Sequence, residues 1–199
     1  GRATGVFRDP ITSNILLNGG AALESQAAGP PLSTAEMAHG GRDWSNVAQR
    51  VAASQPLALS PTIPVALNSW IDGRTYPDLF LEAFGTTEVS PARIIMAIAT
   101  YERILYTDQT PFDLDVAGIQ PLSAAANRGR GVFNASNCNV CHAGNLFTDN
   151  TYRYIGVRPQ NDDTGRFQVT ANNGDRGSFR VPGLRNVAQR GTFFHNGQF

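Results

Sequence analysis

Several features are scarce or missing in this chain: lysine, net charge, long apolar runs and cysteine. There is no lysine, so the sixteen basic residues are all arginines, and sixteen Asp and Glu residues balance them to a formal net charge of zero. A neutral chain has no excess positive charge with which to attract nucleic acid. No apolar run reaches the length of about 20 residues that a membrane-spanning helix needs. We therefore expect no nucleic-acid partner and no membrane span.

Cysteine is also scarce. The only two cysteines are Cys138 and Cys141, and His142 follows the second directly. This C-x-x-C-H spacing is the attachment signature of a c-type haem. Two thiols separated by two residues can form thioethers with the two vinyl groups at one edge of a porphyrin. The adjacent imidazole is then held beneath the ring as an iron ligand, so the motif predicts a haem protein.

Two other interpretations of the cysteine pair stay open. The pair could form a thioredoxin-type redox couple or supply half of a zinc site. A zinc ion would need two more ligands, which would have to come from His39, His195 or carboxylates. A redox couple usually lies where a strand runs into a helix within a βαβ pattern, and no such pattern is legible here. The spacing therefore favours covalent haem over both.

The predicted fold class is mainly α, with cytochrome-c-like haem domains, long irregular loops and few short strands. A hydrophobic content of 41% is enough for a buried core. Helices are predicted at residues 23–28, from Ser33, over Trp44–Ala53, over 77–84, over 93–106 and from Ser123. Residues 110–113 are predicted to form a loop, and short strands are expected near 154–157 or Phe167–Thr170.

The longest of these helices carries an apolar stripe of Ile94, Ile98, Tyr101 and Leu105. Ile95, Ala97 and Ala99 widen that face, which predicts a helix largely buried between neighbours. We place a domain boundary within residues 117–121, which gives domains of residues 1–118 and 119–199.

Beyond the haem motif, six further stretches of the chain together resemble the bacterial di-haem cytochrome c peroxidase family. That family also contains the methylamine-dehydrogenase maturation enzymes. The matching stretches are residues 1–3 (GRA), 23–30 (LESQAAGP) with 36–37 (EM), 97–103 (AIATYER), 110–113 (TPFD), 179–187 (FRVPGLRNV) and 194–197 (FHNG). They run through the whole chain in the family's order, which makes the resemblance specific.

The resemblance implies two cytochrome-c-like domains, each with one haem. Residues 1–118 would be the remainder of the N-terminal, peroxidatic domain, with its haem motif upstream of Gly1. Residues 119–199 would be the C-terminal, electron-entry domain, truncated at its end. One covalent c-type haem is then expected here and two in the parent protein. A calcium ion is a further expectation, bound partly by backbone carbonyls in the segment matching residues 190–192.

The resemblance also implies catalytic residues over the N-terminal haem. Glu36 matches the family's acid/base glutamate, and Gln26 matches the glutamine that orients peroxide. Glu36 is also the fourth residue of a capping box that begins at Ser33, so a purely structural role stays open. Both residues would act only with the N-terminal haem present.

Further candidates concern the haem on Cys138, Cys141 and His142. Arg180 and Arg185 are candidates for pairing with haem propionates, because a guanidinium binds a carboxylate bidentately; surface salt bridges are the alternative. In the family, the histidine that matches His195 lies near the haem interface without binding iron.

The implied function is reduction of hydrogen peroxide to water with electrons from a small c-type cytochrome or copper protein. An exported, periplasmic protein is expected, because covalent haem attachment normally takes place outside the cytoplasm, and a homodimer is a further expectation. Two alternatives stay open: another oxidation on the same di-haem scaffold, and a non-enzymatic electron-transfer cytochrome. Residues 1–199 alone are expected to be inactive as a peroxidase.

Overall fold

Residues 3–199 are described by the structure, which is a computed structural model. They fall into two units, Ala3–Leu105 and Tyr106–Phe199. The first two residues of the GRA stretch lie outside the described residues. Within the described part of the chain, no helix is both long enough and apolar enough to cross a membrane.

Helices dominate both units, and the strands are two or three residues long, which confirms the predicted fold class. The helices are α1 (Ala22–Ala27), α2 (Trp44–Ala53), α3 (Val65–Ile71), α4 (Tyr76–Phe84), α5 (Pro91–Ile104), α6 (Pro111–Val116), α7 (Ala124–Ala135) and α8 (Phe167–Thr170). The strands are β1 (Phe7–Arg8), β2 (Ile15–Leu17), β3 (Tyr152–Arg153) and β4 (Phe179–Arg180). β1 pairs with β2 and β3 with β4, both antiparallel.

The core of the first unit is built around α5. Its buried residues Ala92, Ile95 and Ala99 are spaced three and four apart, so they lie on one face of the helix. α1 and α2 pack against α5, and the two alanines let these neighbours approach closely. The predicted stripe was wrong beyond Ile94, because Tyr101 and Leu105 are 60% and 65% exposed. The helix buries one face only.

Side-chain caps mark the starts of α2, α4, α6 and α7. Thr75 and Asp78 form a reciprocal capping box at the start of α4, and Gly85 ends that helix at φ 79°. The Ser123 hydroxyl accepts from the backbone N–H of Ala126 at the start of α7. The helices predicted at Trp44–Ala53, 77–84 and from Ser123 are thus confirmed.

Residues 110–113 correct the prediction of a loop. Thr110 and Asp113 form a second reciprocal capping box, with Pro111 at the first helical position of α6. A threonine followed three residues later by an acidic residue is the same signal that starts α4. The prediction treated the Thr-Pro pair as a turn and overlooked the cap.

Ser33 does not start a helix. Residues 34–37 form an isolated turn in which the backbone N–H groups of Glu36, Met37 and Ala38 all point to the carbonyl of Ser33. Met37 is 65% exposed, so this turn has no apolar face to bury, and Gly40 and Gly41 follow within four residues. A capping pattern without an amphipathic stretch behind it does not produce a helix.

The predicted strands were also misplaced. The strand near 154–157 lies instead at Tyr152–Arg153, where it pairs with Phe179–Arg180. Phe167–Thr170 is the short helix α8, which ends at Ala171 in the left-handed region with φ 53°. Four residues of alternating polarity fit a strand or one helical turn, and the local hydrogen bonds from Val169 and Thr170 to Arg166 select the turn.

The two units divide at Leu105/Tyr106, N-terminal of the predicted boundary within residues 117–121. α6 belongs with the second unit because Asp113 binds Arg185 there. The assignment of residues 1–118 to a peroxidatic domain and of 119–199 to an electron-entry domain stays a prediction.

An ion pair between a buried carboxylate and a half-exposed arginine joins α1 to α5 within the first unit. The carboxylate of Glu24, only 5% exposed, accepts a hydrogen bond from Nη2 of Arg103 at 2.8 Å, and Nη1 of the 42% exposed guanidinium lies 2.7 Å from its other oxygen. The bond from Arg103 holds the pKa of Glu24 below its ordinary value of 4.5, although burial acts in the opposite direction. This charge-assisted contact ties the two helices to each other.

We predict that Glu24→Gln lowers the free energy of unfolding by about 1.5–3 kcal/mol, because hydrogen bonds to charged groups contribute about that much. The matched control is Glu88→Gln, whose carboxylate is 69% exposed and 3.7 Å from Arg93; it should cost less than about 0.5 kcal/mol. Urea unfolding followed by circular dichroism measures both.

The cost of Glu24→Gln should also depend on pH. Because the pKa of Glu24 is lowered in the folded state, its contribution is complete above the ordinary value of 4.5 and is lost as the pH falls through the folded-state value. The free energies of unfolding of the wild type and of Glu24→Gln should therefore converge in acid. Equal losses in Glu24→Gln and Glu88→Gln at neutral pH would contradict this account.

Candidate functional site

The C-x-x-C-H motif lies on a tight turn directly after α7. Asn137 takes the left-handed conformation at φ 58°, and Cys138–Val140 then form a single 3₁₀ turn. The backbone N–H of His142 donates to the carbonyl of Cys138 at 3.0 Å, which closes the turn. The turn holds the cysteines and the histidine together, and both thiols are free.

His142 has a fixed ring orientation. Its Nδ1 lies 2.9 Å from the backbone carbonyl oxygen of Phe147. A carbonyl can only accept, so Nδ1 carries the proton and the lone pair of the neutral imidazole is on Nε2. A histidine that binds a metal through one nitrogen and donates from the other has this arrangement.

The loop after His142 is closed by its own hydrogen bonds. The backbone N–H of Thr148 donates to the carbonyl of Ala143 at 3.0 Å, and that of Asp149 donates to the carbonyl of Cys141 at 2.9 Å. The buried Thr148 hydroxyl donates to the carbonyl of Val181 at 2.6 Å. The loop therefore joins the motif to the segment that carries β4.

A cavity of about 810 Å³ opens beside the motif, entirely within the second unit. Cys138, Cys141 and His142 form part of its wall. Much of the remaining wall is apolar and includes Ile155, Val157, Pro182, Leu184, Val187 and Phe194. A large apolar cavity with a few polar groups at one side is the usual form of a cofactor site.

The residues of this cavity fit a c-type haem. Both thiols and the imidazole line the same cavity, and the Nε2 lone pair of His142 has no acceptor role elsewhere in the described chain. Within residues 3–199 no group of three or more His, Cys, Asp or Glu side chains is arranged to hold a metal ion. The donor set therefore matches haem iron with one imidazole better than a zinc ion.

The two arginines proposed for propionates have different surroundings. Arg180 lines the cavity and hydrogen-bonds the side-chain oxygen of Asn150. Arg185 is absent from the wall, and its guanidinium binds both carboxylate oxygens of Asp113 at 2.5 and 2.8 Å. The hydrogen bond from Arg185 holds the pKa of Asp113 well below its usual range. Pairing with a propionate stays a prediction for both, and Arg180 is the one at the cavity wall.

Three arginines that the sequence did not indicate also line the cavity: Arg153, Arg158 and Arg190. Arg153 pairs with Asp149 at 2.8 Å. The hydrogen bond from Arg153, followed by that from the Thr151 backbone, lowers the pKa of Asp149 to about 2. The spacing of four between Asp149 and Arg153 was the available signal, but it does not show that Arg153 faces a cavity.

His195 lines the cavity as well, and its ring stacks on Phe179 with the ring centres 3.7 Å apart and the planes 8° from parallel. Its imidazole is thus held by a neighbouring aromatic ring. Gln26 and Glu36 belong to the first unit, where both are exposed, and neither lines this cavity. Their proposed roles are tied to a different haem.

The chain is similar to several proteins named cytochrome c peroxidase or MauG. Residues 3–120 match the model of the family described as di-haem cytochrome c peroxidase. A cytochrome c551 peroxidase of Nitrosomonas europaea is 33% identical over 180 residues, covering 88% of this chain and 47% of that protein. The methylamine utilization protein MauG of Methylophilus methylotrophus is 37% identical over 131 residues, covering 61% of this chain and 38% of that protein.

One further sequence relative and one solved structure are similar over most of this chain. The cytochrome c peroxidase Ccp of Escherichia coli is 28% identical in an alignment that covers 99% of this chain and 41% of that protein. A solved structure of a MauG-like protein associated with microbial copper homeostasis superposes with a TM-score of 0.63 at 23% identity, over 90% of this chain and 53% of that one. That likeness concerns the fold. The chain spans less than half the length of these curated relatives.

Gly183 is predicted to be required for the shape of the cavity. A Cβ on this residue would lie 2.8 Å from the carbonyl oxygen of Leu146, a backbone atom that cannot move away cheaply. Gly183→Ala should therefore lower the free energy of unfolding by about 1–3 kcal/mol. Thermal unfolding of the apoprotein is the measurement.

The matched control is Gly131→Ala in α7, where no described atom outside the helix's own backbone lies within 4 Å. Alanine is favoured over glycine inside a helix by about 0.5–1 kcal/mol, so this variant should be more stable than the wild type. If the free energy of unfolding changed in the same direction in both variants, the close approach at Gly183 would not be the cause of the loss in Gly183→Ala.

Proposed function

Because the chain belongs to the di-haem cytochrome c peroxidase family, we propose that it binds a c-type haem covalently beside His142 and serves the reduction of hydrogen peroxide to water. The family supports an oxidoreductase that uses haem iron for electron transfer. Since the chain spans less than half of its curated relatives, the reaction is proposed for a protein that carries both haem sites.

The observation that carries the proposal is the single wall formed by Cys138, Cys141 and His142 in one large cavity. The two thiols would form thioethers with the porphyrin, and Nε2 of His142 would bind the iron. The hydrogen bond from Nδ1 to the Phe147 carbonyl at 2.9 Å fixes the ring for this role. When bound there, the haem supplies reversible transfer of single electrons.

The other cavity residues exclude water and neutralise charge. Leu184, Val187 and Phe194 supply apolar surface, and a cofactor in an apolar site is shielded from solvent. Arg180 would pair with a propionate carboxylate at the cavity wall. This haem is proposed to be the electron-entry site, which receives electrons from a small c-type cytochrome or copper protein outside the cytoplasm.

The overall reaction consumes one hydrogen peroxide, two electrons and two protons and forms two waters. Breaking the O–O bond needs a group that moves a proton from one oxygen to the other. Glu36 is proposed for that transfer, with Gln26 orienting the peroxide, both at the haem of the N-terminal domain. Their exposure in the present chain leaves them accessible to such a site. Bound calcium near residues 190–192 and a homodimer stay predictions.

A second candidate function is another oxidation on the same scaffold. It is favoured by the relatives named methylamine utilization protein MauG, one of them 37% identical. Fold and haem attachment do not decide between the two reactions. Donor-dependent consumption of peroxide by the two-haem protein would support the peroxidase, and its absence would favour the second candidate.

We predict one covalent haem per chain when residues 1–199 are produced in a host that attaches c-type haem. Pyridine haemochrome absorbance and intact mass measure the stoichiometry. Cys138→Ala combined with Cys141→Ala should abolish covalent attachment. His195→Ala is the control for cavity damage and should keep the full haem content. A wild-type chain that carries zinc or a disulfide in place of haem would contradict the proposal.

We also predict that residues 1–199 with one haem have no measurable peroxide turnover. In a protein with both haems, Glu36→Gln should lower kcat by about 10²–10⁴-fold, the usual contribution of an acid–base group. The exposed Glu82 offers a control, since it pairs with Arg74 in the first unit and Glu82→Gln should retain activity. Turnover by the one-haem chain would contradict the division of labour proposed here.

A further inference from the structure

The loop of residues 143–148 connects the proposed iron ligand to a group of side chains that the haem motif does not include. The carbonyl of Phe147, in this loop, accepts the hydrogen bond from Nδ1 of His142 at 2.9 Å. The position of that carbonyl therefore decides the orientation of the imidazole and the strength of its hydrogen bond. Any contact that fixes Phe147 acts on His142.

Phe147 needs such contacts because its backbone is in a disfavoured conformation. Its φ of 53° lies in the left-handed region, which is uncommon for a bulky side chain. The ring packs against Phe112 of α6, with centroids 4.7 Å apart, and against the edge of Phe133 of α7 at 6.3 Å. These aromatic contacts hold the residue in place from the side of α6 and α7.

Arg185 holds the same loop from another direction. Its Nε donates to the carbonyl of Asn145 at 2.8 Å. Its terminal nitrogens donate to the carboxylate of Asp113 and to the carbonyl of Thr107 at 2.5 Å. The side chain is 11% exposed, so these bonds are shielded from water and one guanidinium joins the loop to the start of α6.

The partner of Arg185 is itself fixed. The Asp113 carboxylate also accepts from the backbone N–H of Thr110 at 3.0 Å and from its hydroxyl at 2.6 Å, as part of the capping box of α6. The same helix carries Phe112, one residue earlier. α6 therefore holds the loop directly through Phe112 and indirectly through Asp113, which binds Arg185.

We propose that Arg185 and Phe112 are positioning residues for His142: they fix the Phe147 carbonyl and so set the reduction potential of the haem. The inference rests on the proposed function, because it requires a haem bound through His142. Neither residue touches the cavity; both act through the loop of residues 143–148.

The sign of the effect follows from the hydrogen bond. A strong bond from Nδ1 raises the basicity of the imidazole, and a more basic ligand stabilises the oxidised iron. Loosening the Phe147 carbonyl weakens the bond and should raise the midpoint potential. A loop that merely opened the cavity to water would stabilise the charged, oxidised haem and lower the potential, so the sign separates positioning from damage.

The test uses the haem-loaded chain and two variants, Phe112→Leu and Arg185→Lys. Leucine removes the ring that faces Phe147 but keeps an apolar side chain and the capping box. Lysine keeps the charge but loses the fork that binds Asp113 and the carbonyl of Asn145 together. Spectroelectrochemical titration gives the midpoint potential, and pyridine haemochrome absorbance gives the haem content.

Matched controls are available in the same unit. Arg130 pairs with Asp115, also on α6, at 2.7 Å, and its only other side-chain partner among the described residues is Asn127. Phe167 of α8 packs against the guanidinium of Arg176 and does not line the cavity. Arg130→Lys and Phe167→Leu should leave the potential at the wild-type value.

The expected result is full haem content with a potential shifted to more positive values in both test variants and in neither control. Phe112→Leu leaves the Arg185 bonds intact, so it gives an answer even if Arg185→Lys does not fold. Unchanged or more negative potentials with haem attached would overturn this inference alone. A wild-type chain without covalent haem would overturn it together with the proposed function, and the haemochrome assay separates the two failures.

Discussion

The hydrogen bond from Nδ1 of His142 to the carbonyl of Phe147 is the contact on which the second unit depends. It selects the tautomer, aims Nε2 away from the loop and requires Phe147 to keep a left-handed backbone. Such a backbone persists only when its surroundings hold it. The aromatic rings and the guanidinium around the loop are those surroundings, so much of the packing outside the cavity serves one imidazole.

Ion pairs between distant stretches organise both units in the same way. Glu24 and Arg103 are 79 residues apart and join α1 to α5 in the first unit. Asp113 and Arg185 are 72 residues apart and join α6 to the segment that follows β4 in the second. All four belong to the stretches that carry the family resemblance. These motifs therefore contribute framework as well as chemistry, which is how a short loop-rich chain keeps a defined cavity.

The features that the sequence predicted well depend on residues close together in the chain. The haem motif was legible because the chemistry requires three residues within five positions, and the helices begun by Asp43, Thr75 and Ser123 carry their caps beside them. What it missed depends on distant partners. No local signal pointed to the ion pair of Arg185 with Asp113, which lies 72 residues away in the sequence. The burial of α5 was overestimated: Ile94, Ile95 and Ala99 are buried as expected, but Ile98 and Tyr101, expected on the same face, are 36% and 60% exposed.

The central claim is that His142 binds haem iron through Nε2 while Phe147 holds Nδ1. A crystal structure of the haem-loaded chain tests it most directly. The account predicts thioether bonds to Cys138 and Cys141, Nε2 of His142 on the iron, and Nδ1 still within hydrogen-bond distance of the Phe147 carbonyl. Iron bound by His195 in place of His142, or a His142 ring turned away from Phe147, would contradict it.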